Sequence, residues 1–292
     1  MTEKHDWHFN RPLAEVIKSR YSVRTYRPEK LPDEVGDLLL QYAAGIKGPF
    51  GPQVRLEFID GIEAVEKTGG KIGTYGIIKG AQHYIAAVGK NVDGGLEQVG
   101  YVLEKLILYA ASLGLGTCWL GGMFKRSQFA KLVDLQEDEI LPAVTPVGYP
   151  GDKKTAIESF MRFAAGSNKR KPWRELFFNE SFTSPLEEKQ VSKEYREALE
   201  AVRLAPSASN KQPWRIVKQG RAYHFYLKLN KRYASALGFN IQKIDMGIAM
   251  CHFEMVLQEF GIKGKWLTEN LPADTDEREN LFYTVSWVGT AD

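Results

Sequence analysis

The sequence predicts an α+β sandwich built twice within one chain, with mixed or antiparallel sheets covered by helices. Three observations carry this expectation. Segments of helical period are interleaved with short alternating or fully apolar segments of strand character. The apolar run Gly100–Gly114 is matched by Gly247–Gly261 at an offset of 147 residues, which persists to Trp119 and Trp266 and to Leu120 and Leu267. Two further matches are collinear with it: Ala44 and Pro52 with Ala205 and Pro213 at an offset of 161, and Ala143–Gly148 with Thr284–Gly289 at 141. An offset that falls in steps is what a second copy with shortened loops would give. The halves divide as residues 1–176 and 177–292.

The elements follow from periodicity and punctuation. In the first half a helix runs from Pro12 to Arg20, and a second from Asp33 to Ala44 behind Pro32. Arg55–Asp60 alternates as a strand, and Tyr84–Gly89 has the continuous apolar character of a buried one. A long helix, Gly95–Leu113, is followed by a short helix, Lys125–Val133, and the strand Ile140–Gly148. The second half has a helix Lys189–Leu204, strands Trp214–Val217 and Ala222–Leu229, a long helix Ile241–Phe260 and a closing strand Leu281–Gly289.

Composition narrows the function. At 292 residues, 43% hydrophobic and 26% charged, the chain reads as a soluble globular protein of two ordinary domains or one large one. The net charge of +3 is spread along the sequence, which argues against a nucleic-acid partner but suits an anionic ligand. Lys169-Arg170-Lys171 is the one dense basic run, a solvated face or a ligand contact. Cys118 and Cys251 cannot build a disulfide framework and have no metal-site spacing, so a reducing, cytoplasmic setting and no metal are expected. Met1–Arg11 lacks the apolar core of a signal peptide, and no window approaches the roughly 18 apolar residues of a membrane span. His5 and His8 read as chain-end residues, His83, His224 and His252 as structural, and Cys118 as a small core residue.

Three motifs carry chemistry. Arg20-x-Ser22-x-Arg24 follows the first helix, and in an extended segment its three side chains point to one side, a geometry suited to phosphate. Leu113–Gly122 offers four glycines, Trp119 and no charge, so backbone N–H groups can approach a flat ligand closely. Ala205–Trp214 contains Pro206-Ser207-x-x-Asn210-x-Gln212-Pro213-Trp214, a polar loop able to bond a ring edge or a polyol chain.

Together these motifs resemble the flavin-binding core of the nitroreductase family, over nearly the whole chain. The resemblance implies FMN as cofactor. It places Arg20, Ser22 and Arg24 on the phosphate and ribityl chain, and Arg170, within Asn168–Pro172, as completing the phosphate clamp. Trp119, Leu120, Gly121 and Gly122 would lie against the isoalloxazine, with the Gly121 N–H at flavin N5. Lys79, in Thr74–Lys79, would pass the pyrimidine edge and reach O2. Pro206, Ser207, Ala208 and Asn210 would arrive from the other half, as the family's loop reaches the flavin of the other subunit.

The duplication then acquires a mechanism. Half one has Gly45–Pro52 where half two has the Ser/Asn loop, and half two has Ser181, Thr183 and Pro185 where half one has Arg20, Ser22 and Arg24. Gly261–Glu269 lacks the paired glycines, and nothing after Gly289 corresponds to Lys169-Arg170. Each half has lost what the other keeps, so a fused pseudo-dimer with one flavin site, acting as a monomer, is expected. The resemblance implies ping-pong hydride transfer from NAD(P)H through flavin N5 to an electron-poor small molecule such as a nitroaromatic, quinone or enone, with no side chain serving as nucleophile or general base. Two other readings stay open: a flavin enzyme of this fold that performs reductive dehalogenation or flavin cleavage, and a flavin-binding protein without turnover.

Overall fold

The structure is a computed structural model that describes residues 9–68, 70, 73–152, 169–234, 237–268 and 280–290; His5, His8 and Asn168 lie outside them. The chain divides into two units with interleaved membership. The first comprises Met1–Lys47, Gln53–Lys90 and Val102–Ser159; the second comprises Gly48–Pro52, Asn91–Tyr101 and Phe160–Asp292. Two short pieces from early in the chain group with the second unit.

In the first unit, α1 (Leu13–Ser19) starts after Pro12 and buries Leu13, Val16 and Ile17. Helix α2 (Asp33–Gly45) follows Pro32 and carries Asp33 and Glu34 in its first turn, where they complement the helix dipole. Strands β1 (Arg55–Asp60), β2 (His83–Lys90), β3 (Gly116–Thr117) and β4 (Glu139–Gly148) form a sheet of order β1-β2-β4-β3. Every pairing in it is antiparallel. Helix α3 (Gly61–Thr68) lies between β1 and β2 in the chain, and α4 (Gly95–Ser112) follows β2, its residues up to Tyr101 grouping with the second unit. Helix α5 (Arg126–Leu132) precedes β4. The buried side chains of α4, from Val99 to Ala111, run almost all round the helix, as a central helix requires.

In the second unit, β5 (Phe177–Asn179), β6 (Trp214–Gln219), β7 (Ala222–Lys228), β8 (Gly264–Leu267) and β9 (Leu281–Gly289) form a sheet of order β5-β6-β7-β9-β8. Strand β5 pairs with β6 in parallel and the rest are antiparallel, so this sheet is mixed. Helix α6 (Lys193–Leu204) precedes β6, and α7 (Ile241–Glu259) lies between β7 and β8. Helix α7 is buried on all sides between Gln242 and Leu257 and is capped by Asn240, whose side chain accepts the Gln242 N–H at 3.1 Å. Without β5, the strand order of this sheet repeats that of the first, element for element.

The long helices end alike. Leu115 N–H reaches Ala110 O at 3.0 Å and Ile262 N–H reaches Leu257 O at 2.9 Å, around Gly114 (φ 79°) and Gly261 (φ 75°). These are the left-handed glycine terminations of two helices 147 residues apart.

The predicted elements are all present within a few residues, with two kinds of correction. Helix α6 begins at Lys193, not Lys189, because Glu187 and Gln190 close a capping box around the separate turn Glu188–Gln190, and the extended residues Val191 and Ser192 separate that turn from the helix. Elements α3, β3, β5 and β8 were not expected; each has eight residues or fewer, too few for periodicity to register. Among the described residues, no helix is long and apolar enough to cross a membrane.

Candidate functional site

The first unit gathers three of the predicted segments through backbone pairing. After α1 the chain turns extended at Arg20 (φ −64°, ψ 131°). Ser22 bridges to Thr117 in parallel, with Val23 N–H on Thr117 O at 2.8 Å. Thr25 bridges to Lys79, with Lys79 N–H on Arg24 O at 2.9 Å and Tyr26 N–H on Lys79 O at 2.8 Å. The Arg-x-Ser-x-Arg segment thus lies between Lys79 on one side and Thr117, the start of the Trp119–Gly122 segment, on the other. Two glycines permit this approach. A side chain at Gly80 (φ 79°) would strike the Tyr26 carbonyl, and one at Gly116 would meet the Val23 side chain at 2.7 Å.

Arg20, Ser22 and Arg24 are half-buried. The Nη1 of Arg20 and the Nε of Arg24 are buried and have no hydrogen-bond partner among the described residues. A buried cationic N–H left unmatched is costly, and two of them flanking a hydroxyl form a seat that an anion would complete. Arg24 Nη1 also reaches Ser22 O at 3.4 Å.

The Trp119–Gly122 segment is anchored on both sides. Leu120 and Val144 exchange backbone hydrogen bonds of 2.9 and 3.0 Å. The half-buried Trp119 donates its indole N–H to the fully buried Glu104 of α4 at 2.6 Å. Gly121 O accepts from Arg126 Nη2 at 2.8 Å, and Arg126 Nε also donates to Leu141 O at 2.8 Å. Burial holds the Arg126 guanidinium below its ordinary range. Arg126 therefore orients the Gly121–Gly122 peptide, a role that nothing in the motif indicates.

The second unit holds the Ser/Asn loop and Arg170, and here the residues bond one another. Arg170 Nη1 donates to Asn210 Oδ1 at 2.7 Å and to Ala205 O at 3.1 Å. Asn210 Nδ2 donates to Lys169 O at 2.8 Å. Gln212, 2% exposed, is the hub: its N–H meets Ser207 Oγ at 2.9 Å, its Oε1 accepts Lys171 N–H at 2.8 Å, and its Nε2 reaches Asn210 O at 3.1 Å. Ser209, Asn210 and Gln212 all have positive φ (47°, 54° and 48°), so this web holds the loop in a conformation its residues rarely adopt.

Asp245 of α7 clasps the same loop, accepting the Ala208 N–H on Oδ1 at 2.9 Å. Its Oδ2 is buried without a partner among the described residues, and burial pushes the carboxyl well above the usual carboxylate range. Also in the second unit, Gln98 accepts the Phe50 N–H on Oε1 at 2.9 Å. Gln98 and Asp245 are 147 residues apart, and each clasps the loop that precedes its half's first long strand. In sequence Asp245 stands out as a carboxylate at the head of the apolar run Met246–Cys251, whereas Gln98 beside Glu97 carries no such signal.

The remaining candidates are structural. His83 Nε2 accepts the Leu31 N–H at 3.1 Å, His224 Nδ1 shares a 2.6 Å bond with Ser286 Oγ, and His252 Nδ1 lies 3.0 Å from Ala201 O. Cys118 and Cys251 are buried and unbridged. Trp266 bonds Glu254 of α7 at 2.8 Å, as Trp119 bonds Glu104, but the two glutamates are not at equivalent positions.

Comparison with known proteins fits this framework. Residues 12–257 match the family described as "Putative TM nitroreductase". A crystal structure described as a "putative nitroreductase" from Thermotoga maritima superposes with a TM-score of 0.59 at 20% identity, covering 99% of this chain and 98% of that one. An FMN-dependent nitroreductase from Clostridium difficile aligns at 20% identity over 48% of this chain and 89% of its own, with a TM-score of 0.40. A "Putative NADH dehydrogenase/NAD(P)H nitroreductase" from Parabacteroides distasonis aligns at 22% identity over 50% and 90%, with a TM-score of 0.42. No curated protein matches.

Proposed function

Because the chain belongs to the TM-nitroreductase family and has the α+β nitroreductase fold, we propose that it is an FMN-dependent NAD(P)H oxidoreductase that reduces electron-poor small molecules. The observation that carries this reading is the pair of buried, unmatched guanidinium N–H groups at Arg20 and Arg24 around Ser22. They fit a phosphate monoester, and FMN ends in one. Bound there, FMN would supply the two-electron chemistry, accepting hydride from a reduced nicotinamide and passing it to a nitroaromatic, quinone or enone.

The protein's own residues supply binding and orientation. Arg20, Arg24 and Ser22 hold the phosphate end; Lys79, paired to that segment through its backbone, serves the pyrimidine edge. Trp119, Leu120, Gly121 and Gly122 would line one face, with the Gly121 N–H towards N5; the peptide that carries this N–H is held through Leu120 O by Val144 N–H at 3.0 Å, and Arg126 holds the next peptide through Gly121 O. Cationic density at the ring edge favours the reduced, anionic flavin. The loop residues Pro206, Ser207, Ala208 and Asn210, with Arg170, serve the same flavin in this proposal, which makes the chain a fused pseudo-dimer with one site. The matching strand orders of the two sheets support such a duplication. A fused pair has no need of a partner chain, and we propose a monomer acting in the cytoplasm.

The decisive experiment is FMN stoichiometry, from the flavin absorbance of protein saturated with FMN, followed by addition of NAD(P)H. The expected value is one flavin per chain, with rapid bleaching. A value of two would overturn the one-site duplication, and no binding would overturn the flavin assignment. Retained flavin without bleaching would favour a flavin-binding protein. The double variant Ser207→Ala with Asn210→Ala is expected to weaken FMN binding; unchanged affinity would separate the loop from the flavin site.

A further inference from the structure

In the first unit one carboxyl lies where its helix has no need of it. Glu104 of α4 is fully buried, with Leu103, Leu106, Ile107 and Leu108 of the same helix buried beside it. A carboxyl out of reach of water costs stability unless its oxygens are matched. The matching position of α7, 147 residues on, is Cys251, also fully buried, so a small uncharged side chain satisfies helix packing there. Glu104 therefore answers to something other than packing. The Trp119 indole N–H, which it accepts at 2.6 Å, is among its partners.

The main chain around Trp119 is fixed independently of that bond. Cys118 N–H donates to the fully buried Thr145 Oγ1 at 3.0 Å, and Leu120 exchanges hydrogen bonds with Val144. With the backbone held on both sides, the side chain keeps only its two torsions, and the bond to Glu104 selects among their settings. The ring is half-buried, and among the described residues no aromatic side chain lies against it.

The second unit shows the alternative. Trp266, which matches Trp119, donates to Glu254 at 2.8 Å. Glu254 matches Ile107, so the acceptor stands three residues further on, about 4.5 Å along the helix axis. It is also shared, accepting from Tyr101 Oη and from Gln258 Nε2 at 3.2 Å. The Trp266 ring packs against Phe225, Trp287 and Phe253 at 5.1, 5.1 and 6.4 Å. One indole is thus packed into the aromatic interior of its unit. The other is held by its edge, its faces left without a ring partner.

We propose that Glu104 is a positioning residue. It pins the N–H edge of Trp119 to α4 so that a face of the indole stays presented to a planar ring, the isoalloxazine of FMN. The identity of that ring rests on the preceding reading; the pin itself does not.

The test uses FMN-loaded protein. An indole in contact with an isoalloxazine quenches flavin emission by electron transfer, so bound FMN should be at least tenfold dimmer than free FMN. Trp119→Phe should brighten it at least threefold. Glu104→Cys, which copies the second unit, should brighten it to a similar extent although the tryptophan remains. Glu104→Gln, which keeps an acceptor, should stay within twofold of the wild type. Glu104→Met takes the place of Glu104→Cys if that variant does not fold. Unchanged emission in Trp119→Phe or in Glu104→Cys would overturn the proposal, and so would equal brightening in Glu104→Gln and Glu104→Cys. A second readout needs no flavin. In proton–nitrogen correlation spectra the Trp119 indole N–H signal, assigned by its loss in Trp119→Phe, should exchange with solvent at least tenfold faster in Glu104→Cys and at the wild-type rate in Glu104→Gln. Equal exchange in the wild type and Glu104→Cys would overturn the pin. If the chain takes up no FMN but the indole N–H is protected only with an acceptor at position 104, the positioning role stands and the flavin reading fails.

Discussion

The two units share their backbone plan and differ in side chains. Both sheets keep one strand order, both long helices end on the same left-handed glycine, and Gln98 and Asp245 perform the same clasp. The first unit places Leu106 where the second has Phe253, whose ring lies 5.2 to 6.4 Å from those of Tyr195, Tyr223, Phe225, Trp266 and Trp287. In the first sheet Ala86 faces Val144; in the second Phe225 faces Val285. The first unit keeps arginines and glycines suited to a ligand, whereas the second has filled its interior with aromatic rings, whose packing contributes more per residue. Features made by the main chain are held in common, and the side chains around them differ.

The largest effect should come from the first unit's arginines. Arg20→Ala and Arg24→Ala each remove a charge-assisted bond worth about 1.5–3 kcal/mol, so each should weaken FMN binding roughly 10- to 150-fold and the pair more. Titration followed by flavin fluorescence measures this; unchanged affinity in both variants would erase the asymmetry between the units.

Next comes the crossing of the long helices. Within the second unit, a side chain at Gly100 would strike the Ile244 carbonyl, and one at Gly247 the Glu97 carbonyl. Ile244 and Glu97 are themselves 147 residues apart, so the contact is reciprocal, as at a two-fold interface. Gly100→Ala and Gly247→Ala should each cost about 1–3 kcal/mol by overpacking, in similar amounts. Urea unfolding tests this, and a large inequality would break the pseudo-symmetry.

The clasps differ in chemistry, and pH separates them. Asp245 has its carboxyl pKa raised by burial in the folded protein, so its contribution is intact below the unfolded value near 4 and is lost as pH rises towards the folded value. Asp245→Asn keeps an acceptor for the Ala208 N–H and cannot ionise. Relative to the wild type, this variant should gain stability as pH rises from 4 to 8. Parallel urea midpoints across that range would mean that Asp245 titrates normally. Gln98, already an amide, should contribute no such slope.

The smallest effect is a control on the glycines. Gly36 lies inside α2 with open space around its Cα, so Gly36→Ala should stabilise by about 0.5–1 kcal/mol, opposite in sign to the crossing glycines. The same unfolding curves report it.

Much of this was legible in the sequence where periodicity was long. The helices of 18 and 19 residues and the buried strands announced themselves through many apolar repeats. Strand β3, two residues long, has no period to read, yet it is the strand beside which Ser22 is placed. Within the site, motif spacing singled out Arg20, Ser22, Arg24 and the Ser/Asn loop because those side chains are chemically unusual in series. It passed over Gln212, Asp245 and Arg126, whose importance lies in the peptide groups they hold, and such partners are set by tertiary approach and not by spacing.

The reciprocal glycines also bear on how such a chain can change over generations. Each tolerates no side chain because of the main chain of the matching helix, and no substitution elsewhere removes a backbone carbonyl. Under the proposed duplication, loops and cores are free to diverge. The crossing is not, because a side chain at Gly100 or Gly247 meets the main chain of the other helix. In a relative encoded as two separate identical chains, a single glycine codon would answer for both sides of the crossing. Under the proposed duplication, that one heritable requirement falls on two codons, Gly100 and Gly247, and the helix crossing should drift most slowly.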